Sequence, residues 1–151
     1  MNMTPKQAID SILEQAPAIL KEDKHHAPVL FVFGEKENAV ILIKFTDSDS
    51  KHMAMLDIGR KMAHLGPYCI AFVSEAWMAK RMPTKGKEIH DMPDKQECLQ
   101  VTAQNKEGVT EGAAIPFSRI GGDILLGETM YAPYTESYLF NLFWKGVSEG
   151  S

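Results

Sequence analysis

Cysteine is scarce in this chain: its 151 residues hold two, Cys69 and Cys98. Each lies in an apolar or strand-like run without CxxC spacing, so buried reduced thiols are expected, with a disulfide or a reactive thiol as the alternative. Long apolar runs are missing as well, since none approaches the ~18 to 20 residues of a membrane span. The amino terminus, MNMTPKQAID, carries acid and amide groups where a signal peptide needs an apolar core. A cytoplasmic protein without a membrane partner is therefore expected. Neither charge sign dominates: 16 Lys and Arg stand against 20 Asp and Glu, a formal net charge of −4 with a pI near 5.7. No whole-protein field draws the chain to phosphates, so nucleic acid is not an expected partner.

Several catalytic signatures are absent too. There is no GxGxxG after a strand, no GxxxxGK[ST] loop and no GxSxG elbow, which leaves dinucleotide, P-loop and α/β-hydrolase chemistry without an anchor. The histidines His25, His26, His52, His64 and His90 show neither HExxH nor HxH spacing. His25 and His26 are adjacent and diverge in direction, so no metal site is expected, and no cofactor. The Pro-Cys-x-x-Cys element of zinc deaminases is missing. A nuclease-like acidic residue two before a lysine on a core strand also fails, because Lys44 follows Leu42 and Ile43.

What is present reads as one α+β domain over residues 1–151, with hydrophobic residues at 44% and charged residues at 24%. Thr4 is a good N-cap with Pro5 at the first helical position. Ala8, Ile9, Ile12, Leu13 and Ala16 recur at helical spacing, and Pro17 predicts a kink with a last turn over 18–20. The apolar runs 29–33 and 39–45 are separated by a short polar connection and form a hairpin. The second, AVILIKF, is apolar at consecutive positions and is expected in the middle of the sheet.

The cluster 46–50 supplies N-cap residues for a helix to Leu65, ended by Gly66 and Pro67. Met55, Leu56, Gly59, Met62 and Ala63 mark its apolar stripe, where Gly59 admits a close strand or is simply tolerated. A strand, a helix and a strand in succession predict a parallel, right-handed crossover between 39–45 and 68–73. A long polar loop follows over 79–96. From Glu97, Leu99, Val101 and Ala103 alternate with Gln100, Thr102 and Gln104, the pattern of a strand with one wet face. A turn at 105–108, a strand over 109–119 and a Gly121-Gly122 turn into 123–126 complete a meander. The core is expected to gather Val32, Ile41, Ile43, Leu56, Ile70, Phe72 and Val101.

The stretch 68–78, YCIAFVSEAWM, is the centre of this plan: a buried strand that turns polar at Ser74 and Glu75 and then meets Trp77. Polar groups at a strand exit can gather acid and base groups, here with His90 of the following loop. Ser74, Glu75 and His90 are the candidate catalytic residues and Trp77 the candidate cleft residue. The competing role is a cap and turn, with Trp77 packed over the sheet edge. The FVSEAWM run resembles a set of small bacterial, archaeal and phage proteins in which an apolar strand ends in a Val-Ser-Glu-Ala-Trp-like sequence before a polar loop and a strand hairpin. That resemblance spans residues 28–118. It brings no activity, and implies that Ser74, Glu75 and Trp77 belong to a family feature.

The last segment, 131–146, is read as an aromatic terminal helix, capped by Thr135 and stopped by Gly146. Its rings cover most of the helix circumference and need burial on more than one side. Tyr131, Tyr134, Tyr138, Phe140, Phe143 and Trp144 are therefore the candidate interface of a two-fold homodimer. The alternative is that this helix fills the sheet's second face within one chain. The expected fold is a mixed, mainly antiparallel sheet of five to six strands with two covering helices and this terminal helix. A non-enzymatic binding or assembly module is the expected function, with a small hydrolase or transferase as the alternative; the sequence does not identify a small-molecule ligand.

Overall fold

The computed structural model describes residues 2–44, 48–79, 95–133 and 138–150. Its framework is a single antiparallel sheet with one helix pair against each face. The strands are β1 (Val29–Gly34), β2 (Ala39–Leu42), β3 (Pro67–Ala79), β4 (Lys95–Asn105), β5 (Thr110–Ile120), β6 (Asp123–Leu126) and β7 (Met130–Pro133). Their order is β2-β1-β3-β4-β5-β6, with β7 on β5 as well. β6 pairs with the second half of β5, from Phe117 to Ile120, and β7 with the first, from Glu111 to Ala114.

The helices are α1 (Pro5–Leu13), α2 (Ala16–Asp23), α3 (Ser48–Met62) and α4 (Tyr138–Gly150). α1 starts where local chemistry places it: Thr4 and Gln7 form a reciprocal capping box, and Pro5 spends no hydrogen bond at the first position. Pro17 does more than kink the chain. The ladder ends at Leu13, and Pro17 enters the first turn of a separate helix, the place where its missing N–H is tolerated. α3 is followed by a 3-10 turn, Ala63–Leu65, and Gly66 closes it at φ 68°, leading directly into β3.

Two cores result. On one face Ala8, Ile9, Ile12, Ala16 and Leu20 of α1 and α2 pack on Cys69, Ala71, Val73, Leu99, Val101, Ala103, Ala113, Ile115 and Phe117. On the other, Met55, Phe140 and Phe143 of α3 and α4 pack on Leu30, Val32, Ile43 and Ile70, with Ile41 and Phe72 partly buried. Val101 thus belongs to a different core from Val32 and Ile70, because its strand position points to the opposite face.

Several expectations change. The AVILIKF run is the sheet's edge rather than its middle; its strand is β2, with Val40 67% and Leu42 54% exposed. β1 lies between β2 and β3, antiparallel to both, so β2 and β3 share a direction without pairing, and every pairing among the described residues is antiparallel. Gly59 admits a helix, not a strand: a Cβ there would lie 2.1 Å from the Phe143 carbonyl oxygen. Gly146 does not stop α4. It sits inside that helix, where a Cβ would lie 2.1 Å from the Leu56 carbonyl oxygen, and the two glycines let α3 and α4 cross backbone to backbone. Tyr131 is on β7 rather than on a terminal helix.

Candidate functional site

β3 does not end where its sequence turns polar. It continues to Ala79 in unbroken register with β4, pairing Ser74 with Gln100, Glu75 with Leu99 and Trp77 with Glu97. Ser74, Glu75 and Trp77 are therefore mid-strand residues, and the alternation of a strand assigns their directions. Glu75 and Trp77 share the parity of Cys69, Ala71 and Val73 and face the α1 and α2 side. Ser74 shares the parity of Ile70 and Phe72 and faces the α3 and α4 side.

On the first side Glu75 is the centre of a clamp. Its Oε1 accepts from Arg119 Nη2 at 2.6 Å, and its Oε2 accepts from the backbone N–H of His26 at 2.9 Å and lies 2.5 Å from His25 Nδ1. Arg119 also donates from Nη1 to the Lys24 carbonyl at 2.6 Å and from Nε to Glu97 Oε2 at 3.2 Å. Its guanidinium stacks over Phe117 at 5.2 Å. The segment 24–26, which leaves α2 through Lys24 at φ 62°, is thus tied to β3, β4 and β5 at once. His26 is buried, and its Nδ1 pairs with the Ala27 carbonyl at 2.7 Å.

On the second side a cleft of about 350 Å³ opens between sheet and helices. Phe72, Ser74, Gln100 and Thr102 form its floor, Lys51 and Met55 one wall, Leu139 and Phe140 the other. Glu75 borders this cleft, yet its carboxylate is turned through the sheet toward His25 and Arg119. Ser74 and Glu75 are adjacent in sequence and separated by the sheet. Trp77 is 45% exposed beside Glu97 on the clamp side, away from the cleft.

His90 lies outside the described residues, as do the loop over 80–94, Thr135 and Tyr134; the side chain of Tyr138 is also outside them. Of the remaining interface candidates, Phe140 and Phe143 are buried inside the chain against the sheet. Trp144 meets Phe143 edge to face and donates its indole N–H to Gln104 Oε1 at 2.8 Å, so α4 covers the end of a strand face expected to be wet. Tyr131 is 51% exposed, with Lys6 Nζ 4.1 Å above its ring.

Arg119 and Glu97 join Glu75 in this clamp although no sequence motif singles them out. A signal existed: both occupy strand positions of core-facing parity, Arg119 in line with Ala113, Ile115 and Phe117, and Glu97 in line with Leu99 and Val101. Charges at such positions are unusual unless paired. Both thiols are buried and unpaired, and burial pushes Cys69 up to about 12 and Cys98 up to about 11. Among the described residues no three His, Cys, Asp or Glu side chains converge as metal ligands, and no helix is long and apolar enough to cross a membrane.

No curated protein and no solved structure matches the chain. Its residues 2–145 match the family described as Bacteriophage lambda protein ea47, and the chain belongs to that family.

Proposed function

We propose that the protein is a non-enzymatic binding or assembly module that works in the cytoplasm as a two-fold homodimer. The observation that carries the non-enzymatic part of this reading is the clamp on Glu75. A general base needs a lone pair free to reach a substrate proton, whereas both oxygens of this carboxylate are engaged by His25, His26 and Arg119. Such a carboxylate ties segments together. On this reading the Val-Ser-Glu-Ala-Trp run is a family feature because Glu75 anchors the exit of α2. The two buried unpaired thiols suit a reducing compartment. Light scattering on the intact protein at tens of micromolar is the test: a dimer mass is expected, and a monomer removes the assembly half of the proposal.

A second reading, a small hydrolase or transferase, draws on the cleft. Ser74 and Lys51 both line it, and serine with lysine is a known nucleophile and base combination. A fluorophosphonate probe separates the two. Labelling that disappears in Ser74→Ala establishes the enzyme reading, and an unlabelled protein leaves the binding module.

A further inference from the structure

The helix pairs are staggered across the sheet. α1 and α2 cover β3, β4 and β5 on their face and stop short of β2. There Val40 and Leu42 stand exposed at 67% and 54%, and Phe31, opposite Val40 in register, is only half-buried. Phe31 and Ile19 of α2 line one shallow apolar groove, so Ile19, Phe31, Val40 and Leu42 form a strip that runs to the edge of the sheet.

The backbone at that edge is also open. Ile43 donates its N–H to the Pro28 carbonyl at 3.0 Å, which fixes the ladder parity between β1 and β2. In an antiparallel pair the bonded positions alternate. Ala39, Ile41 and Ile43 therefore turn their N–H and C=O groups inward to β1, and Val40 and Leu42 turn theirs outward. β2 is the terminal strand of the sheet among the described residues. An outward ladder with apolar side chains is a template for another strand.

We propose that the occupant is β2 of a second copy, paired antiparallel about a two-fold axis through Ile41; this rests on the homodimer reading above. A two-fold axis normal to the sheet keeps each face on its own side, so opposed residues must have the same parity. Centring on Ile41 sets Val40 against Leu42 of the partner subunit, and the outward groups of both become bonded pairs. The two sheets become one, and the strips of both copies join on the same face. Such an interface is self-complementary, as a two-fold dimer requires. The opposite edge suits this less well: Leu125 is exposed there, but the edge is divided between β6 and β7.

Three variants of the full chain test it. Leu42→Pro removes an outward N–H that the pairing with β1 does not use, and proline is accepted at such edge positions. It should dissociate at least tenfold more readily than wild type in sedimentation equilibrium while retaining the wild-type circular dichroism spectrum. Leu125→Lys should remain as dimeric as wild type. Ile41→Cys places two thiols at a closely spaced, unbonded pair, within disulfide reach, and mild oxidation should give a covalent dimer of the folded protein. If Leu42→Pro loses its fold, the Ile41→Cys crosslink decides alone. A dimer that survives Leu42→Pro, or one that Ile41→Cys fails to trap, overturns the β2 interface and leaves the homodimer intact. A monomeric wild type overturns both.

Discussion

The two faces of the sheet are built by different means. On the first, α1 and α2 lay an ordinary apolar stripe on the strands: Ala8, Ile9 and Ile12 recur at helical spacing, and a capping box starts the helix. On the second, α3 and α4 first pack on each other through Gly59 and Gly146, so closely that neither position has room for a methyl group. Phe140 and Phe143 then reach past α3 to the sheet. The first face depends on side-chain pattern and the second on backbone proximity. Their chemistry is divided as well, with a saturated ion clamp on one side and an open cleft on the other.

The largest effect should come from the second face. Phe143→Ala removes a fully buried ring from the contact between α4 and the sheet, at a cost of about 3 to 5 kcal/mol in urea unfolding. Phe72, half-buried at the cleft, should cost clearly less when truncated. Equal losses for the two would mean that α4 is not docked as described.

Gly146→Ala tests the backbone contact by its sign. In an exposed helix interior this change gains about 1 kcal/mol. Here the new methyl group meets backbone atoms of Leu56 and Arg60, so a loss of about 1 to 3 kcal/mol is expected. A stabilised variant would separate the two helices.

The clamp on the first face should matter less. Arg119→Ala leaves Glu75 with His25 and the His26 N–H, and Arg119 is 40% exposed, so solvent screens much of the lost interaction. A loss of about 1 kcal/mol is expected, with faster amide exchange confined to 24–27. Ser74→Ala, across the sheet, should leave that exchange unchanged.

This division also explains what could be read from sequence. The capping at Thr4, the stop at Gly66, the β4 alternation and the Gly121-Gly122 turn, with both glycines at positive φ, are set by neighbours within a few residues and were legible. The edge position of β2 was not, because AVILIKF has the composition of a central strand and only pairing order reveals that, among the described residues, β1 lies on one side and no strand on the other. Gly59 and Gly146 looked like a spare glycine and a helix stop because their role exists only when two distant segments meet. Glu75 stands out in the sequence as a polar residue after an apolar run, but its partner Arg119 is 44 positions away, and its direction follows from strand parity rather than from the motif.

The smallest expected difference concerns the two thiols. Cys69 lies in the α1 and α2 core, while Cys98 shares the strand parity of Gln100 and Thr102 and faces the cleft side. Burial raises both, Cys69 to about 12 and Cys98 to about 11, from an ordinary value of 9.0. Only the thiolate attacks a disulfide reagent, so at pH 8 the native protein should react slowly with Ellman's reagent, and Cys98 should be modified before Cys69. The same shifts set a direction for stability. The folded state holds these protons more tightly than the unfolded chain, so the contribution is complete below pH 9 and is lost as pH rises toward 11 to 12. Thermal melts should therefore fall as the pH climbs above 9, and less steeply once Cys69 is replaced by alanine. If Cys69 reacts first at pH 8, the first face is the more open of the two, and the tighter packing belongs to the cleft side.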